Sequence, residues 1–196
     1  MESSEDEILA RLTEDLEKQG IYKRDIDKIE EGLFLGNSYA AHNKDLLDSL
    51  GITHILNITN GIVNKFKRNF KYHTIPVEDA ASEDIKSHFT EAIEFIETAL
   101  EEQKLDCDSA VRNKVLVHCK AGYSRSATIV TAYFMHKYKI PYFEAIERIR
   151  EKREIDPRKG FKKQLYQFQV EKIGMEDLPS EEDPAYFKEE GSHHFF

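Results

Sequence analysis

An α/β fold is predicted: a mainly parallel central sheet flanked by helices, with a cysteine-containing loop joining one strand to the next helix. Three observations carry this expectation. Short β-branched or apolar runs alternate with longer segments whose apolar residues recur in steps of three and four. Strands separated by helices in this way build parallel pairs covered on both faces. One apolar run, Lys114 to His118, passes through a glycine-containing loop straight into a helical segment.

The elements follow in order. Residues 1–27 form an acidic helical extension, in which Ile8, Leu9, Leu12 and Leu16 stand at helical spacing before Gly20. That is the pattern of a short amphipathic helix packed on the domain or on a partner. Gly32 to Gly36 is a short apolar run bounded by glycines, and Asn43 to Leu50 reads as a helix ended by Gly51. Ile52 to Thr59 is rich in β-branched residues and reads as a buried strand, with His73 to Val77 another. From Ser82, the positions Ile85, Phe89, Ala92, Ile93, Ile96, Ala99 and Leu100 mark a long core-facing helix. The polar stretch LEEQKLDCDSAVRNK then reads as an inserted loop. After the strand Lys114 to His118, a helix runs from Ser124 to Lys139. Pro141 opens another, to about Arg153, since proline is tolerated in a first turn. Gly160 to Lys172, with Phe161, Leu165, Phe168 and Val170, is the last helix. Residues 175–196 are acidic, carry Pro179 and Pro184 and show no periodicity, so a mobile tail is expected there. The folded domain is thus placed at 28–174.

Composition narrows the function. The 196 residues are 40% hydrophobic and 11% aromatic, which suits one globular domain with extensions. The net charge of −9 argues against nucleic acid as partner, because a phosphate backbone needs a basic face. No run approaches the ~20 apolar residues of a membrane span. The opening MESSEDEILARL is too acidic for a secretory or transit signal, Glu2 excludes myristoylation, and the terminal HHFF is no prenylation box. The cysteines are Cys107 and Cys119, too few for a disulfide framework, and a reducing cytosol or nucleus is the expected setting. His193 and His194 read as part of a solvated tail rather than as metal ligands.

The chemistry lies in His118-Cys119-Lys120-Ala121-Gly122-Tyr123-Ser124-Arg125-Ser126. A strand delivers the thiol of Cys119 to the mouth of a loop, and a helix begins at Arg125. Loop N–H groups and the helix N-terminus converge there into a nest for a tetrahedral dianion. Gly122 allows the turn. The same field favours thiolate over thiol. Arg125, six residues on, can grip two phosphate oxygens with its planar fork, which lysine does less well. The plain alternatives are a small buried hydrophobe for Cys119 and an ion-pair partner for Arg125, but the pair at this spacing, between strand and helix, favours chemistry. A carboxylic acid on a neighbouring loop would protonate the leaving oxygen; Glu78, Asp79, Glu83 and Asp84 are the candidates.

His-Cys, five residues, then Arg-Ser resembles the signature of the protein tyrosine phosphatase superfamily. The wording HCKAGYSRSAT is similar to its dual-specificity branch, which acts on phosphotyrosine and on phosphoserine or phosphothreonine. LFLGNSYAA followed by LGITHILNIT resembles the branch's opening strand, helix and second strand; IPVEDAASEDIKSHF resembles its acid loop, and Gly160-Phe161 with Gln164-Leu165 its closing helix. The resemblance covers roughly residues 28–172. It implies a cysteine-dependent protein phosphatase domain at 28–174, with Cys119 as nucleophile and Arg125 as clamp. Lys120, Ala121, Gly122, Tyr123 and Ser124 would bind the phosphate, and His118 would brace the loop. The Ser126 hydroxyl would steady the sulfur as it leaves the phosphoenzyme. Among the four carboxylates, Asp79 matches the acid position, six residues before Ile85 and ten before Phe89. No cofactor or metal is implied. The expected partner is a phosphorylated protein, MAP kinases being common targets, although no separate docking domain is apparent.

Two departures stand out. Asp156-Pro157-Arg158 carries arginine where relatives often have asparagine, so either a hydrogen bond to the catalytic loop is missing or Arg158 contacts substrate. Tyr123 holds a position that is basic in several lipid-directed relatives, while Lys120-Ala121-Gly122 is shared with them. A phosphoinositide phosphatase and a non-catalytic phosphate-binding module are therefore the rival readings. Cys107 is a plain exposed thiol or an oxidative partner of Cys119.

Overall fold

The computed structural model describes residues 7–11, 14, 25–101, 103–106 and 109–174. Five strands form the central sheet in the order β1-β2-β7-β3-β4. They are β1 (Ile26–Glu30), β2 (Leu33–Gly36), β3 (His54–Asn57), β4 (Lys71–Thr74) and β7 (Val115–His118). Only β1 runs antiparallel to its neighbour; β2, β3, β4 and β7 pair in parallel, giving the mainly parallel sheet expected.

β7 lies at the centre because Val-Leu-Val is apolar toward both faces, as a strand covered on both sides requires. Its side chains alternate between two cores. Val115 and Val117 join the larger cluster, with Leu33, Leu35 and Leu56. Leu116 joins the smaller one, with Phe34 and Ile55. Cys119 keeps the odd parity and points into the larger side.

That side is covered by α3 (Phe89–Glu101), α4 (Arg125–Tyr138), α5 (Tyr142–Arg150) and α6 (Lys159–Phe168). α3 buries Phe89, Ala92, Ile93, Ile96 and Ala99, the stripe read from its spacing, although it begins at Phe89, after a 3₁₀ turn over Lys86–His88, rather than near Ser82. The other side is covered by α1 (Ser38–Ala41) and α2 (Lys44–Ser49), capped by the side chains of Asn37 and Asn43. Residues 7–11 are helical, and Leu9 reaches this smaller core.

Three elements differ from expectation. β1 was not anticipated, since IDKIE hides its apolar positions among charges; it starts at Ile26, ahead of the boundary drawn at 28. The fourth strand is Lys71–Thr74 rather than His73–Val77, an edge strand whose exposed polar residues carry the ladder while Ile75 and Val77 are buried beyond it. The stretch expected as an inserted loop forms a separate antiparallel pair, β5 (Gln103–Asp106) and β6 (Ser109–Arg112), with Asp106 opposite Ser109. No glycine or proline marks its turn, which removed the usual hairpin signal. Cys107 and the tail 175–196, with His193 and His194, lie outside the described residues. Among the described residues no helix is long and apolar enough to cross a membrane.

Candidate active site

The site stands at the C-terminal edge of the sheet, where β7 ends between β2 and β3. Gly36 and Asn57 flank His118 in register. Crevices beyond the carboxyl ends of parallel strands are the natural binding position in such sheets.

From His118 the chain turns through residues 119–124 into α4. Gly122 has φ +66, and a Cβ there would collide with the Gly36 carbonyl, so both conformation and close packing demand glycine. Ser38 seals the other flank, its N–H and hydroxyl donating to the Lys120 carbonyl at 3.1 and 3.2 Å. Lys120 and Ala121 are exposed at the mouth, while Gly122 and Ser124 are buried. Ser124 precedes α4 without making a side-chain cap, which leaves the first-turn N–H groups available to an anion.

Cys119 is 2% exposed. Its Sγ accepts hydrogen bonds from Gly122 N–H at 3.3 Å and from the Ser126 hydroxyl at 3.2 Å. Arg125 is buried too; one Nη donates to the Val77 carbonyl at 2.9 Å, and its Nε has no hydrogen-bond partner among the described residues. A buried guanidinium N–H without a partner is costly, and an anion held above the loop would relieve it. His118 is 1% exposed, with its Nδ1 3.3 Å from the Cys119 carbonyl. Burial pushes its imidazole down to about 4, the Cys119 carbonyl opposing and His42 adding to the shift. A ring so held is neutral at pH 7 and braces the loop as a hydrogen-bonding group.

Of the four carboxylates on the segment after β4, Asp79 is the one linked to the neighbours of the Cys119 loop, while Asp84 accepts from the Ser87 N–H. Val77 is tied to Arg125, Glu78 accepts a hydrogen bond from Asn60, and Glu83 offers its carbonyl to Gln164 at 2.7 Å. Asp79 accepts from Arg158 Nε at 2.8 Å. Arg158 also donates its backbone N–H to the Ser124 hydroxyl at 3.4 Å. The Asp79 segment and the Cys119 loop therefore share neighbours. Tyr123 is half-buried; burial first, then the charges of Asp156 and Glu154, push its phenol upward.

Sequence reasoning missed the chief brace of the loop. Arg153, 5% exposed, donates its Nε to the Gly122 carbonyl at 2.9 Å and an Nη to the Ala121 carbonyl at 3.4 Å. Its other Nη meets Asp27 of β1 at 2.6 Å in a buried ion pair. The loop is thus held by the side chain of Arg153, while Arg158 reaches it through its main chain. In sequence Arg153 is one charge in the run EKRE and Asp27 one in DIDKIE, and nothing linear joins them.

Known proteins share this sequence pattern and this fold. The family model described as dual specificity phosphatase, catalytic domain, matches residues 33–171. Human dual specificity protein phosphatase 4 is 45% identical over 138 residues, covering 70% of this chain and 33% of that protein. The chain thus spans about a third of the length of the curated relatives it matches. The crystal structure of the human tyrosine phosphatase-like serine/threonine/tyrosine-interacting protein matches with a TM-score of 0.67 and 33% identity, covering 76% of this chain and 97% of its own. That of DUSP15 matches with a TM-score of 0.66 and 34% identity, covering 76% and 89%.

Proposed function

The chain belongs to the dual specificity phosphatase catalytic-domain family, and from that premise we propose that it removes phosphate from phosphotyrosine and from phosphoserine or phosphothreonine in proteins. One observation carries the reading. A buried sulfur accepts two hydrogen bonds at the mouth of an amide-lined loop, while the buried Nε of Arg125 has no hydrogen-bond partner among the described residues.

The reaction proceeds in two displacements. The Cys119 thiolate attacks phosphorus as loop N–H groups and Arg125 hold the equatorial oxygens. The phosphorus–oxygen bond to the substrate breaks, and the leaving oxygen takes the proton of Asp79. Water then attacks the cysteinyl phosphate, Asp79 now accepting the water's proton. The sulfur–phosphorus bond breaks, the thiolate returns to its hydrogen bonds with Gly122 and Ser126, and inorganic phosphate departs. Lys120, Ala121, Gly122, Tyr123 and Ser124 supply the cradle.

Tyr123, standing where several lipid-directed relatives carry a basic residue, offers no positive charge to a polyanionic lipid headgroup, which favours a single phosphate on a protein. A phosphorylated MAP kinase, the target the family resemblance implies, is the first protein substrate to test, in a reducing cytosol or nucleus.

The test is turnover of a chromogenic aryl phosphate, of phosphopeptides and of phosphoinositide headgroups, with chelator present. Phosphopeptide hydrolysis should exceed lipid hydrolysis and vanish in Cys119→Ser. Activity surviving that substitution would sink the proposal.

A further inference from the structure

We propose that Arg158, standing where relatives often carry asparagine, is the positioning residue for the Asp79 carboxyl, linking the acid segment to the catalytic loop; this rests on the phosphatase reading above. Arg158 immediately precedes α6, at its N-cap. Its backbone N–H reaches the Ser124 hydroxyl, and two residues earlier the Asp156 N–H donates to the Tyr123 carbonyl at 3.1 Å. Residues 156–158 are thus fastened to the catalytic loop through the main chain. The Arg158 side chain is left to reach outward, and it ends on Asp79 Oδ1 at 2.8 Å.

The acid segment is secured on both sides of Asp79, but by its backbone. Before it, the Val77 carbonyl accepts from Arg125. After it, Ala81 packs so closely on Gly160 that a Cβ there would collide with its carbonyl. Gln164 then accepts from the Lys86 N–H at 2.8 Å and donates to the Glu83 carbonyl. These contacts place the Asp79 main chain and leave its carboxyl free to rotate. The Arg158 guanidinium is the group that aims it, and because both anchors of Arg158 belong to one short segment, Asp79 is aimed relative to the loop that holds Cys119.

Two effects of such a pair oppose each other. An ion pair also restrains the carboxyl, yet the side chains of Arg158 and Asp79 are 41% and 33% exposed, and a pair this wet is worth a few-fold at most. Misplacing a reacting group by 1 Å costs about 100-fold, and general acid catalysis contributes about 100-fold or more. The pair can supply only as much of that orientation as its own free energy allows, a few-fold, and the sign of the change on a poor leaving group distinguishes aiming from restraint.

A leaving-group series separates this role from a structural one. Aryl phosphates ranging from 2,4-dinitrophenyl to phenyl need progressively more help from a proton donor. The ratio of kcat/KM between these two esters is measured for wild type, Arg158→Ala, Arg158→Lys, Asp79→Asn and the double variant Asp79→Asn with Arg158→Ala. Arg158→Ala should raise the ratio about two- to fivefold, Arg158→Lys should recover part of the difference, and Arg158→Ala should change nothing further once Asp79 is asparagine. An equal loss on every ester, a shift that persists without Asp79, or a gain on phenyl phosphate overturns the proposal. So does a rise in KM for phosphopeptides with the ratio unmoved, which would make Arg158 a substrate contact. If wild type shows no Cys119-dependent turnover, the phosphatase reading falls with it; if that turnover is present and only the ratio fails to move, the phosphatase reading stands and this inference alone falls.

Discussion

Replacing Arg153 with methionine removes one guanidinium that serves three partners. The ion pair with Asp27 is 2.6 Å long between side chains 3% and 5% exposed, so methionine would strand a buried carboxylate. Breaking a pair of this kind by removing one partner costs about 3–5 kcal/mol, a large share of a total stability of about 5–15 kcal/mol. For a domain of this size each kcal/mol lowers Tm by about 2–4 °C, so a fall of roughly 6–20 °C is expected. The Gly122 carbonyl loses its donor as well, and Gly122 presents its N–H to Cys119 Sγ, so kcat/KM on an aryl phosphate should fall beyond the unfolded fraction. The assay is urea unfolding of wild type, Arg153→Met, Asp27→Asn and the double variant, with activity measured on each. The double variant should be more stable than the sum of the singles predicts, by more than about 1 kcal/mol, because it has no buried unpaired charge. Additive losses, or a cost below about 1 kcal/mol for Arg153→Met, would refute the reasoning.

Two further outcomes follow from the same loop. Ser126→Ala removes the hydroxyl that donates to Cys119 Sγ; a hydrogen bond to a charged group is worth about 1.5–3 kcal/mol, so breakdown of the cysteinyl phosphate should slow by about 10–100-fold, seen as a burst of phenol followed by a slow steady state. Unchanged kcat with no burst would count against that role. His118 is lowered to about 4 in the folded chain, so the unfolded chain takes up a proton first as pH falls. The native state should lose stability between pH 6.5 and about 4, by roughly 3 kcal/mol through this group. Acidic residues contribute their own acid loss, so the readout is the difference in urea stability between wild type and His118→Gln across that range; parallel curves would contradict it.

Much of this was legible in the sequence, for a physical reason. The β7 run and the loop after it are local: strand, thiol, turn glycine and arginine follow one another, and the periodicity of α3 declares which of its faces is buried. Spacing singled out Cys119 and Arg125, while Ser126, whose hydroxyl lies 3.2 Å from the Cys119 sulfur, entered only through the family resemblance. The illegible parts are those made by distant or polar contacts. β1 escaped because Asp27, Lys28 and Glu30 mask its alternation, although Ile26 and Ile29 are buried. The Arg153–Asp27 pair joins residues far apart in the chain, and no composition rule singles out either one. The β5–β6 pair escaped because Lys104, Asp106, Ser109 and Arg112 interrupt its few apolar positions and no glycine or proline stands between the two strands.

The position of the two arginines explains why the departure at 158 is tolerated. An asparagine there would be expected to spend its side chain on the catalytic loop. Here Arg153 already holds the carbonyls of Gly122 and Ala121, and the main chain of residues 156–158 makes its own bonds to Tyr123 and Ser124. With the loop so held, the side chain at 158 can leave it and reach Asp79. The division also depends on β1, because Arg153 is buried beside the loop only while Asp27 neutralises it, and Asp27 precedes the stretch matched by the family model. The phosphate cradle is therefore stabilised by an edge strand that contributes nothing to its chemistry. A neutral residue at 27 would take away the carboxylate that meets this buried guanidinium at 2.6 Å.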